Sequence, residues 1–158
     1  MRRVIVNTTP LIALAGIDKL ELLHQLYSEI RIPEAVKMEI LSEPARSQVA
    51  AAEWIIVQKV SGKTQKSAFS TRLHAGEIEV IMLADETSAD LLIMDDNAAK
   101  KTAKYLGFTV TGTLGVLLRA KKDGLIPEVS YCLERLMDEG LYISPSMKKT
   151  VLKQAGEL

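Results

Sequence analysis

The chain has 158 residues, 47% of them hydrophobic and 25% charged, with twenty basic residues balancing twenty acidic ones. One domain with a sizeable core follows, since a chain of this size removes roughly 70% of its unfolded surface from water, and the composition excludes disorder and a collagen-like fibre. The neutral balance excludes a strongly basic nucleic-acid binder but leaves room for a local basic patch beside an acidic site. No apolar run approaches the ~18 residues of a membrane span, so a cytoplasmic protein without membrane contact is expected.

In chain order, Val4-Ile5-Val6 is apolar but is interrupted at once by Asn7, Thr8, Thr9 and Pro10, which reads as a strand and turn rather than a signal peptide. The pattern predicts a strand at Arg3–Val6 followed by helices at Pro10–Ala15 and Lys19–Tyr27. A second strand, Glu29–Ile32, precedes a helix at Pro33–Leu41, and a third, Trp54–Val60, precedes a polar loop at Gly62–Thr71. Then come a helix at Gly76–Asp85, a strand at Leu91–Met94, a helix at Asn97–Leu106 and a strand at Phe108–Thr111. Helices at Thr113–Lys122 and Glu128–Glu139 follow, with Gly107, Gly124 and Gly140 placed as C-terminal stops. From Ser144 a Ser-Pro-Ser cap opens a basic amphipathic helix. Strands alternating with helices predict an α/β fold: three layers, α/β/α, around a mainly parallel sheet. The wholly apolar strands VIV and LLIM suit burial on both faces. We expect a single domain over 1–158, with a core at about 3–127 and a helical appendage at about 128–158.

In open α/β sheets, ligands bind outside the carboxyl ends of the strands. There the first strand delivers Asn7 and Thr8, and the fourth delivers Asp95 and Asp96, with Asn97 opening the next helix. Helix capping is the simpler account of Thr8, Thr9 and Asn97. It accounts less well for two adjacent acids, because one suffices to cap a helix and neighbouring like charges cost free energy unless a cation compensates them. Glu77 projects from the face that carries Val80, Ile81 and Ala84, and Glu39 sits above Ala35 and Val36. A carboxylate on an apolar face needs a partner. A salt bridge would satisfy Glu39, and the helix N-terminus would suit Glu77. Together, four acids and Asn7 point to a hard-cation site whose oxygen ligands suit Mg²⁺ or Mn²⁺. Lys100, Lys101 and Lys104 follow on one helix, either as a solvated face or as contacts to a phosphate backbone.

Other chemistries lack their residues. With one cysteine, Cys132, and two histidines, His24 and His74, the chain has neither a disulfide framework nor a zinc cluster. Cys132 reads as core, and His74 as a contact at a helix start. Gly62-Lys63-Thr64 lacks the upstream glycine of a phosphate loop, Gly112–Gly115 is not a dinucleotide fingerprint, and there is no G-x-S-x-G elbow.

The segments VIVNTTPLIALAGIDKLELL, RIPEAVKMEIL, LHAGEIEVIMLA, LLIMDDNAAKKTAKYLGF and TVTGTLGVLLRAKKDGLI occur in order over residues 3 to 127. They resemble the PIN-domain family, in particular a prokaryotic branch with an Asn-Thr-Thr-Pro-Leu-Ile opening, and the Ser-Pro-Ser tail is similar to that branch as well. The resemblance implies an α/β/α fold and an Mg²⁺- or Mn²⁺-dependent ribonuclease related to VapC-type toxins. It implies metal ligands at Asn7, Glu39, Glu77 and Asp95 or Asp96, with Thr8 beside them. Most active members carry Asp where this chain has Asn7, which supplies an oxygen without charge.

The leading expectation is therefore a metal-dependent endoribonuclease, with Glu39, Glu77, Asp95 and Asp96 catalytic, Asn7 completing the metal ligands, and Thr8, Lys100 and Lys101 binding substrate. RNA, a small antitoxin and a second copy of the chain are the expected partners, the dimer using apolar helices after Gly112. The alternative is a PIN-like module with weak or no catalysis that binds nucleic acid or protein. A small-molecule phosphatase is disfavoured, because the first strand ends in no acid that could act as nucleophile.

Overall fold

A computed structural model describes residues 2–61 and 73–158; the expected loop at 62–71 lies outside the described residues. The elements run β1 (Val4–Val6), α1 (Thr8–Gly16), α2 (Glu21–Tyr27), β2 (Ile30–Pro33), α3 (Glu34–Glu39), α4 (Ala45–Ala51) and β3 (Ile55–Gln58). They continue with α5 (Ala75–Thr87), β4 (Leu91–Ile93), α6 (Asn97–Tyr105), β5 (Val110–Thr111), α7 (Thr113–Lys122), α8 (Val129–Asp138) and α9 (Pro145–Gln154).

The five strands form one sheet in the order β3-β2-β1-β4-β5, and every pairing is parallel. Helices flank the sheet, giving the expected three-layer α/β/α architecture. Val4, Ile5, Val6, Leu92 and Ile93 are at most 1% exposed, as a strand covered on both faces requires. In register, Val4, Ile5 and Val6 stand beside Leu91, Leu92 and Ile93. The strand order reverses between β1 and β4, and this switch point is where a crevice opens outside the carboxyl ends of the strands.

Three local details differ from the sequence reading. Thr8 and Thr9 do not cap a helix: α1 begins at Thr8, Asn7 takes the N-cap position, and Pro10 falls inside the first turn, where its missing N–H costs nothing. Pro33 ends β2 instead of opening a helix, because its fixed φ of −73° suits extended backbone as well as the entry to α3. The helix α4 was not anticipated; it buries only Ala45 and Val49, one turn apart, too thin a stripe to stand out as a pattern.

Behind the sheet's right-hand strands, α7 packs on α8 and α9. Val116, Leu117 and Ala120 of α7 and Val129, Leu133 and Leu136 of α8 are all nearly or fully buried within the chain. Cys132 is buried among them, as expected of a core filler.

Candidate metal centre

The candidate residues all hang from the carboxyl end of the sheet. Asn7 follows β1 directly and its N–H donates to the Ile93 carbonyl, continuing the β1–β4 ladder. Its side chain is enclosed, the residue being 4% exposed, and the buried amide oxygen Oδ1 has no hydrogen-bond donor among the described residues. A buried acceptor left unsatisfied costs about 1–3 kcal/mol, so its retention marks a place where another group is wanted.

Glu77 lies in the first turn of α5 and is 5% exposed, with Val80, Ile81 and Ala84 buried below it as the helical spacing predicted. Oε1 accepts from the His74 N–H at 3.0 Å, which makes His74 the helix-start contact expected of it. Burial raises the Glu77 carboxyl above the ordinary range, and the charges of Asp96 and Glu39 push the same way against the His74 N–H. Glu77 is pressed by like charge from two sides, the condition a cation relieves.

Glu39 ends α3 and differs from expectation: the residue is exposed rather than set in an apolar face, yet both of its oxygens are held. Oε2 accepts from the Thr8 hydroxyl at 2.8 Å and Oε1 from the Gly76 N–H at 2.8 Å. A Cβ built on Gly76 would stand 2.7 Å from both carboxylate oxygens, so only glycine lets the N–H come this close. Thr8 and Glu39 thus tie the end of β1 to the start of α5.

The paired acids part company. Asp95 turns to α7, where Oδ1 accepts from the Thr113 N–H at 2.8 Å and Oδ2 from the Thr113 hydroxyl at 2.7 Å. Asp96 is the N-cap of α6, with Oδ2 accepting from the Ala99 N–H at 2.9 Å. Two adjacent acids are therefore each accounted for by a helix start, which weakens the argument that adjacency alone demands a cation. Asn97 is the first helical residue rather than the cap. The side chains still differ in what they leave free: both Asp95 oxygens are engaged, whereas Asp96 Oδ1 takes no protein hydrogen bond among the described residues. Lys100 is half-buried near Asp95, and Lys101 and Lys104 are exposed.

Among the described residues no three His, Cys, Asp or Glu side chains converge tightly enough to hold a metal ion on their own. The donors still match a hard cation in kind, being carboxylate and amide oxygens with one buried oxygen unsatisfied. In donor type alone, the oxygens of Asn7, Glu39, Glu77, Asp95 and Asp96 are those that an Mg²⁺-type ion takes.

A parallel α/β/α sheet with acidic and amide side chains outside the carboxyl ends of β1 and β4 places them where such folds bind their ligands. A family model described as a PIN domain matches residues 3–157, and the chain belongs to that family. PIN domains are generally nucleases that act on nucleic acid and typically use divalent metal ions. No curated protein gives a significant match to the chain. Among the described residues, no helix is long and apolar enough to cross a membrane.

Proposed function

We propose that the chain is a divalent-cation-dependent endoribonuclease in which Asn7, Glu39, Glu77 and Asp96 hold Mg²⁺ or Mn²⁺. The observation that carries this reading is the buried, undonated Oδ1 of Asn7 at the end of the central strand, in the same cluster as the crowded carboxyl of Glu77. A bound cation supplies Lewis-acid chemistry: it acidifies water and neutralises charge on the scissile phosphate. The protein's part is orientation. Glu39 is aimed by the Thr8 hydroxyl and the Gly76 N–H, which makes Thr8 a positioning residue. The Thr113 bonds of Asp95 support a role in placing α7, and the free Oδ1 of Asp96 supports Asp96 as the ligand of the pair. Lys100 and Lys101, on the helix that Asp96 caps, are the cations assigned to the phosphodiester backbone in this reading.

Cleavage of labelled single-stranded RNAs with EDTA, Mg²⁺ or Mn²⁺ tests the reading, beside Glu77→Gln and Asp96→Asn. Metal-dependent cleavage that both variants lose supports it; folded protein that stays silent with every metal refutes it. The second reading, a binding module without efficient catalysis, is favoured by the lack of a three-acid cluster among the described residues. It requires binding that Asp96→Asn leaves intact. A toxin role in the cytoplasm, with a small antitoxin and a second copy as partners, is the finer form of the nuclease proposal.

A further inference from the structure

A groove of about 900 Å³ begins beside Asp95 and runs between α7 and the α8–α9 segment. Lys100 and Lys104 of α6 stand on one side, and Tyr142, ahead of α9, stands on the other. Leu118 and Gln154 line its far end and also line a second hollow of about 520 Å³, which Arg119, Lys121 and Lys122 enclose. The two hollows adjoin at Leu118 and Gln154, and side by side they make a track along α7 that starts near the carboxyl end of β4.

The track carries positive charge. Among the described residues Asp95 is the only acid lining either hollow, and both its oxygens accept from Thr113. Lys121 is neutralised by Glu157 and Arg119 by Asp123. Lys100, Lys104 and Lys122 make no ion pair among the described residues. Tyr142 leaves its ring in water, 82% exposed, although hydrophobic residues on either side of it, Leu141 and Ile143, pack on the core. Gly112 closes the track's floor: a Cβ there would stand 2.8 Å from Asp95 Oδ1 and 3.0 Å from Lys100 Nζ.

We propose that this track seats a single-stranded nucleic acid beside the catalytic cluster, with phosphates on Lys100, Lys104 and Lys122 and one base stacked on Tyr142. A chain of spaced cations with a solvent-facing aromatic ring is the chemistry that holds single strands without reading their sequence. The C-terminal segment is then part of the substrate site rather than an appendage. The proposal rests on the nuclease reading for the strand's direction toward Asp96, but it is tested by binding alone.

The probe is a fluorescein-labelled single-stranded RNA of about 12 nucleotides, followed by anisotropy in EDTA so that cleavage does not intervene. Three phosphate contacts predict a slope of log K against log salt of about −2, falling by about 0.7 for each of Lys104→Ala and Lys122→Ala. Tyr142→Ala weakens binding about tenfold and Tyr142→Phe restores it, since the ring and not the hydroxyl does the stacking. Unchanged affinity and slope in all three alanine variants overturn the proposal, even where Glu77→Gln shows that the nuclease reading holds. Weakened binding in a protein that cleaves nothing supports the track while refuting catalysis. Wild-type protein that is folded yet binds no RNA, or that holds a protein at Tyr142 instead, also overturns it.

Discussion

Glu157 links the last residues of the chain to the body of the fold, and replacing it with Gln removes its charge together with one of its two acceptor oxygens. Its carboxylate accepts from Lys121 Nζ at 2.9 Å, from the Val129 N–H at 2.7 Å and from the Ser130 N–H at 2.9 Å. Burial opposes its ionisation, but the Lys121 ammonium and the two N–H groups at the start of α8 outweigh it and hold the carboxyl at about 2, against an ordinary 4.5. That difference is worth about 3 kcal/mol at the most, at ~1.36 kcal/mol per pH unit. Solvent reaching the partly exposed Lys121–Glu157 pair screens it and reduces the figure to about 1–2 kcal/mol. Because the folded pKa lies below the unfolded one, the stabilisation is complete above pH 4.5 and is lost as the pH falls toward 2. Thermal unfolding of Glu157→Gln at pH 7 should therefore come about 3–6 °C below wild type. The gap should close as both proteins are titrated from pH 4.5 downward. A gap of the same size at pH 7 and pH 2, or none at pH 7, would refute the reasoning. The variant keeps one acceptor oxygen and puts an amide NH2 in place of the other, so one accepted hydrogen bond is lost with the charge.

Three further outcomes follow from the cluster. In EDTA, Glu77→Gln should unfold at a higher temperature than wild type, since it removes a buried charge pressed by Asp96 and Glu39; a lower midpoint counts against this electrostatic account. Asn7→Asp keeps the shape and adds a charge, so it should bind Mg²⁺ about tenfold more tightly, read by calorimetry, and lose stability in EDTA. Gly76→Ala should leave unfolding within about 1 kcal/mol of wild type, because the gain in helix propensity offsets the loss of one hydrogen bond. It should nevertheless cost metal-dependent cleavage at least tenfold by displacing the Glu39 carboxylate, which sits 2.7 Å from where the new methyl must go.

The strands were legible because apolar runs such as VIV and LLIM are buried on both faces and need no partner information to stand out. The placement of Asn7, Glu77, Asp95 and Asp96 at one end of the sheet followed from the alternation of strands and helices, since each sits within a few residues of a junction. What sequence could not resolve was the direction of neighbouring side chains. Asp95 and Asp96 are alike in type and adjacent, and only the arrival of Thr113 from the next βα unit separates them. The grip on Glu39 depends likewise on Gly76, 37 residues away. The helix α4 was missed for a different reason, a two-residue apolar stripe, and the boundary at Pro33 because proline suits both the end of a strand and the entry to a helix.

The strand order also sets a sequence of events during synthesis. β1, β2 and β3 can pair as soon as residue 58 is available, but the other edge of β1 has no partner until residues 91–93 emerge. For that interval Val4-Ile5-Val6 presents an apolar, unpaired edge, the kind of surface through which incomplete chains associate. The same delay governs the candidate site. Asn7 gains its backbone bond to Ile93, and Glu77 gains Asp96 as a neighbour, only when the two halves of the sheet close. A nascent or half-folded chain therefore has no assembled centre, and any hydrolytic capacity arises with the completed fold, after β4 has docked.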